Sequence, residues 1–177
     1  RNLHQILLQD PGQPTVIVVS AMGKTTNRLE KLIELSRKGK PYEKELDELT
    51  LDHLDVVREL RGDPPPSILE QLDIHSKALR SAGDYPEEDR FYDTVIAFGE
   101  LLSSLIIADY LTVCGLGIRW LDARMIIRTD DVFREANVDW EITSRQINEQ
   151  IKDALDQGMV ITQGFIGATV NGHTTSL

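Results

Sequence analysis

Residues 91–111, FYDTVIAFGELLSSLIIADYL, are apolar over so many helical turns that most of the helix circumference has to be buried. A helix of this kind cannot lie on a surface, so the remainder of the chain must be arranged around it. A second constraint is the run Thr15 to Val19, which is short, rich in β-branched residues and without alternation. It reads as a strand buried on both faces. The loop 20–26, SAMGKTT, leads from it into a helix predicted from about Arg28, on which Leu29, Leu32, Ile33 and Ser36 share a face. Asn27 stands as its N-cap with Glu30 at the third helical position, in the manner of a capping box.

The same reading along the rest of the chain gives alternating strands and helices. A first helix runs to about Gln9 and ends before the turn signal Asp10-Pro11-Gly12. Pro41 to Ala82 is helical and strongly charged, with a sparse stripe of Leu46, Leu49, Leu60, Leu69, Leu72 and Leu79. Asp63-Pro64-Pro65-Pro66 divides it into at least two helices, an insert-like segment suited to a scaffold or lid. Gly115 and Gly117 end the core helix, IRWLDA reads as a short strand, and NVDWEIT is a candidate third. A helix from about Ser144 to Leu155 presents Ile147, Ile151 and Leu155 on one face and stops at Gly158. MVITQGFIG is the last buried strand, and Asn171-Gly172 is a two-residue hairpin turn. The pattern predicts an α/β domain around a mostly parallel sheet, a class that binds ligands outside the carboxyl ends of its strands.

Composition narrows the function classes. The 177 residues suit one domain, and a net charge of −10 argues against binding nucleic acid through its phosphates. The single cysteine, Cys114, excludes an internal disulfide framework and fits a reducing cytoplasm. No stretch reads as a membrane span and no signal pattern precedes the first helix, so neither membrane nor export is expected. Because RNLHQILLQD reads as helix from its first residue with no capping residue ahead, the chain is expected to be a fragment of a longer protein.

Gly23-Lys24-Thr25 has the ending of a phosphate-binding loop, but the first glycine of that motif would fall at Val18, inside the strand. What remains is a short strand-to-helix loop whose amides, hydroxyls and helix dipole suit a carboxylate as well as a phosphate; the alternative is a connecting loop whose Ser and Thr only cap the helix. Glu100 is the second candidate. A lone carboxylate among Ile96, Phe98, Leu101 and Leu102 is costly unless paired, and a ligand ammonium would pair it; otherwise it faces solvent or accepts from a backbone amide. Gly99 beside it permits close backbone approach. Phe165 at the turn after the last strand can wall a pocket or belong to the core, and Thr174, Thr175 and Ser176 supply hydroxyls. His4, His53, His75 and His173 are scattered and form no metal-ligand cluster.

Taken in order, VIVVSAMGKTTN, FGELLSSLII, WLDARMIIRTDD and GMVITQGFIGATVNGHTTSL resemble the aspartokinases of the amino acid kinase superfamily. The resemblance implies a three-layer αβα amino acid kinase fold, incomplete here, with residues 1–177 as its aspartate-binding lobe and a helical insert at about 37–90. It implies ATP-dependent phosphorylation of the L-aspartate side-chain carboxylate to 4-phospho-L-aspartate, which opens the lysine, threonine and methionine branch of amino-acid biosynthesis. Ser20, Ala21 and Thr26 match the family's substrate-loop positions, Glu100 its ammonium-holding glutamate, and Phe165 a pocket-lining residue. Thr174, Thr175 and Ser176 match the run approaching the phosphate-transfer site, while Lys24 has no assured counterpart. The family's Lys-Phe-Gly-Gly-Thr-Ser and Gly-Arg-Gly-Gly-Ser-Asp motifs lie outside these residues, so ATP and Mg2+ are expected to bind largely outside this chain, with no catalytic residue inside it. A cytoplasmic homo-oligomer is implied for the full-length enzyme. The alternatives are a glutamate or acetylglutamate kinase of the same superfamily, or a non-catalytic interaction domain working through the charged helices.

Overall fold

The computed structural model describes residues 2–9, 12–82 and 87–177. In chain order its elements are α1 (Asn2–Leu7), β1 (Val16–Val19), α2 (Thr25–Arg37), α3 (Glu43–Arg61), α4 (Pro66–Ala82), α5 (Glu88–Val113), β2 (Ile118–Trp120), α6 (Ala123–Ile126), α7 (Trp140–Leu155), β3 (Met159–Gln163), β4 (Ile166–Ala168) and β5 (Thr174–Ser176). Of the first predicted turn, Asp10 and Pro11 lie outside the described residues.

α5 is the core helix that its composition demands. Residues 95–104 are buried on every side of it. Its 26 residues are long and apolar enough for a bilayer crossing, contrary to the sequence expectation, but most of that apolar window is covered by protein. On one side Phe98, Leu102 and Ile106 share a cluster with Leu29 and Leu32 of α2, Leu46 and Leu49 of α3, and Ile68 and Leu72 of α4. On the other, Ala108 and Leu111 pack with Met159 and Ile161 of β3 and Leu7 of α1. α5 is therefore the wall shared by a helical layer and a sheet. Each large side chain buried along it contributes about 1.5–3 kcal/mol relative to exposure.

The sheet is parallel, in the order β1-β3-β2, with helices packed around it. Val19 pairs with Gln163 and Trp120 with Ile161. All five residues of β3 are buried, as a central strand requires. β1 departs from expectation: Ile17 and Val19 join the cluster under α5, but Val16 and Val18 are 40% and 60% exposed. β1 has one neighbour among the described strands, so its second face is not sandwiched.

Other details also differ, among them α7, which starts at Trp140 rather than about Ser144. α2 starts at Thr25 rather than Arg28, with Lys24 at the cap position and no side-chain cap, because Gly23 at φ +53° turns the loop and the Thr25 amide closes on the Met22 carbonyl at 3.1 Å. NVDWEIT is not a strand. Val138 makes one bridge to Thr129, and Asp139 then caps α7 by accepting from the amides of Glu141 and Ile142 at 3.1 and 3.0 Å. MVITQGFIG splits after Gln163, and Ile166–Ala168 pairs antiparallel with β5 in a separate ribbon. The hairpin between them closes as Thr169 N to His173 O at 2.9 Å around a three-residue loop, with Gly172 at φ +78° and Asn171 outside the left-handed region. A two-residue type I′ turn needs positive φ at both centres, so the longer loop forms instead. The proline break is as expected: Gly62 at φ +90° ends α3, and Pro66 opens α4 at the position where a missing amide costs nothing. Leu69, expected on the apolar stripe, is 46% exposed.

Candidate functional site

The parallel register brings β1 and β3 to an end at the same level, so Ser20 and Gly164 leave the sheet side by side. A Cβ on Gly164 would stand 2.8 Å from Val18 Cγ1, a contact that only glycine avoids. α5 crosses over this edge at Gly99, where a Cβ would stand 3.0 Å from both Ala21 Cβ and Thr25 Cγ2. The missing side chain lets the helix seat directly on the loop. Ser103, one turn later, donates from Oγ to the Ser20 carbonyl at 2.8 Å and holds the loop down.

Glu100 follows Gly99 and is 7% exposed. Its Oε2 accepts from the amide of Phe165 at 3.1 Å. Burial pushes its carboxyl above the ordinary range, and the amides of Phe165 and Gly164 pull in the opposite direction. Among the described residues no cation is paired with this carboxylate, an arrangement that suits a ligand cation. Of the readings open from sequence, the structure takes the backbone-amide one and leaves the carboxylate's charge uncompensated.

The other expected residues divide. Ser20, Ala21, Glu100 and Phe165 meet at the carboxyl edge of β1 and β3, as expected for this fold class. Thr26 lies on the exposed side of the first turn of α2, while its neighbour Thr25 is buried with Oγ1 3.4 Å from His53 Nε2. Thr174, Thr175 and Ser176 are buried, and their hydroxyls are engaged inside the fold. Thr174 accepts from Arg124 Nη1 at 3.3 Å, Thr175 shares a hydrogen bond with Thr129 at 2.8 Å, and Ser176 donates to Asp93 Oδ1 at 2.6 Å. Lys24 lines a separate cavity of about 350 Å³ with Arg28, Asp52 and His53. Among the described residues no three His, Cys, Asp or Glu side chains gather as a metal site.

Sequence reasoning missed Asp93 and Gln163. Asp93 is fully buried and accepts from the Arg134 amide at 2.9 Å, the Ser176 amide at 3.0 Å and the Ser176 hydroxyl. Burial raises its carboxyl, and these donors oppose the shift. It precedes Glu100 by two helical turns in the same apolar run, so the argument that singled out Glu100 applies to it equally. Gln163 accepts the Ala123 amide at 2.8 Å and donates to Ser104 Oγ at 2.6 Å, joining the end of β3 to α5 and α6. Phe165 is 45% exposed and lines an open pocket of about 500 Å³ with Tyr92, Arg134 and Ser176.

Residues 3–177 match the model of the amino acid kinase family. The chain is 31% identical over 166 residues to lysine-sensitive aspartokinase 3 of Escherichia coli, covering 92% of this chain and 36% of that protein. It is 33% identical over 180 residues to chloroplastic aspartokinase 1 of Arabidopsis thaliana, covering 94% and 30%. Among solved structures it superposes on E. coli aspartokinase III in complex with aspartate and ADP with a TM-score of 0.85 and 29% identity, covering 98% of this chain and 39% of that one. The chain thus spans about a third of the length of these relatives. On the family match and on the convergence of loop, helix and strand ends, this chain belongs to the amino acid kinase family, with the aspartokinases among its relatives.

Proposed function

We propose that this chain is the amino-acid-binding lobe of an ATP-dependent aspartate kinase, which converts L-aspartate to 4-phospho-L-aspartate. The observation that carries the reading is the buried carboxylate of Glu100, without a cationic partner, beside a loop that the strand register and Gly99 hold in place. The substrate ammonium would pair with Glu100, the Ser20–Ala21 backbone and the exposed Thr26 would border the bound amino acid, and Phe165 would close one side. Likeness to an aspartokinase solved with aspartate and ADP supports the substrate class.

Phosphoryl transfer asks mainly for positioning and charge stabilisation. The attacking β-carboxylate is already an anion, so the reaction needs no general base from this lobe. The role of these residues is to hold the amino acid with that carboxylate facing the nucleotide. Among the described residues no three His, Cys, Asp or Glu side chains gather around one point, and Mg2+ is commonly held by one or two carboxylates together with the phosphates of its nucleotide, so it would come to this lobe with ATP. A glutamate kinase would share the ammonium contact, whereas an acetylglutamate kinase would have no ammonium to offer Glu100.

The test is ATP-dependent aspartyl-hydroxamate formation by the native full-length polypeptide and its Glu100→Gln variant, with glutamate and acetylglutamate as competing substrates. Aspartate turnover that is lost in the variant supports the reading. Turnover of acetylglutamate alone, or of no amino acid, refutes it.

A further inference from the structure

Thr94, Thr112 and Ser104 satisfy their hydroxyls within α5, donating to the carbonyls of Arg90 at 2.9 Å, Ala108 at 2.8 Å and Leu101 at 3.0 Å. A carbonyl three or four residues earlier is the local acceptor open to any helical hydroxyl. Ser103, completely buried in the same helix, donates instead to the Ser20 carbonyl, 83 positions away in sequence. Ser20 is exposed and Ala21 half-buried, so this bond runs from the core to the rim of the strand edge.

A trans peptide group is planar, with its C=O and N–H pointing in opposite directions. Because the Ser20 carbonyl is turned onto α5, the N–H of Ala21, which shares that peptide, is turned away from the helix. Among the described residues this N–H has no acceptor. Ala21 itself lies against Gly99, where an added Cβ would stand 3.0 Å from Ala21 Cβ. Glu100 is the next residue and Ser103 lies one turn further on, so a single stretch of α5 holds both the carboxylate without a cationic partner and the bond that orients the loop. An outward N–H beside such a carboxylate is a donor for an oxygen of the bound amino acid. We propose that Ser103 is a positioning residue: by holding the Ser20 carbonyl, its hydroxyl keeps the Ala21 amide turned toward the amino-acid substrate. This inference rests on the aspartate-kinase reading above.

Ser103→Ala removes the donor and leaves the Ser20–Ala21 peptide free to rotate. Ser103→Cys fills the same space with a weak donor, and carries the same reading should Ser103→Ala fail to fold. In the full-length polypeptide, Ser103→Ala is expected to raise the KM for aspartate about tenfold, the loss of one hydrogen bond to a charged group. Ser103→Cys should raise it less, and the KM for ATP should stay unchanged in both. Hydrogen exchange supplies a readout that a merely structural serine would not move. Saturating aspartate should slow exchange of the Ala21 amide in the parent, and should no longer do so in Ser103→Ala at equal saturation. Aspartate KM values for both variants within twofold of an active parent, or an Ala21 amide that aspartate protects in neither protein or in both alike, overturn the inference and leave the kinase reading standing. A rise in the ATP and aspartate KM together, with a lowered thermal midpoint, overturns it in favour of a purely structural serine. A parent protein inactive on aspartate removes the kinase reading and this inference with it.

Discussion

The main-chain amide of Phe165 donates to Glu100 Oε2 at 3.1 Å, linking positions 65 residues apart at the carboxyl edge of the sheet. Burial holds this carboxyl above its ordinary range, so its charge costs stability at neutral pH, and protonation in acid relieves that cost. A substrate ammonium requires the ionised form. If the chain is the aspartate-binding lobe proposed above, the aspartate KM of the full-length polypeptide should therefore rise as pH falls through the raised pKa of Glu100, ahead of the titration of an ordinary carboxylate. Glu100→Gln should bind weakly with no such dependence, and should be as stable as the parent or about 1 kcal/mol more so at neutral pH. Paired pH–KM profiles and urea midpoints check both.

Gly99 is where α5 and the loop 20–26 touch. In Gly99→Ala the new methyl group meets Ala21 Cβ and Thr25 Cγ2 at 3.0 Å and Leu29 Cδ1 at 3.2 Å, and two of these carbons belong to residues on or next to the loop. Overpacking of this kind costs about 1–3 kcal/mol. The expected result is a lower urea midpoint together with a raised aspartate KM, because the loop moves off the helix that carries Glu100.

Asp93 holds β5 and the Arg134 turn with three donors. Asp93→Asn presents an amide NH2 to at least one of them and leaves a buried donor unpaired, at a cost of about 1–3 kcal/mol. Ser176→Ala removes only the hydroxyl and should cost less. Equilibrium denaturation of the two variants gives the order, and a milder Asp93→Asn than Ser176→Ala would contradict this account.

His75 meets the Phe98 ring edge-on at 5.4 Å, and burial, assisted by Arg124 and opposed by Asp122, pushes its pKa down to about 4. The unfolded chain binds this proton at the ordinary value of 6.5, so stability contributed by neutral His75 is lost as pH falls from 6.5 toward about 4. The loss is about 3 kcal/mol at its acid limit. His75→Gln should flatten urea midpoints across that window. Some slope should persist from His53, whose pKa burial also lowers.

The sequence by itself determined the elements whose signal is local. Continuous apolarity marked residues 91–111 as a buried helix whatever packed on it, and one carboxylate in that run required a partner. Prolines 64–66 and Gly158 marked helix boundaries because their backbone restrictions act without tertiary help. Only the tertiary structure decided the pairings. Helix propensity does not reveal that Asp93 reaches Ser176 across 83 positions, or that Gly99 is small because Ala21 lies against it. NVDWEIT has a strand-like composition, but Asp139 caps a helix once Val138 has bridged to Thr129. β1 looks like a central strand because its β-branched residues are the same on both faces; which face is covered depends on the elements that pack beside it. Local pattern encodes the degree of burial, whereas the identity of each partner is set by which distant segments the packed layers bring into contact.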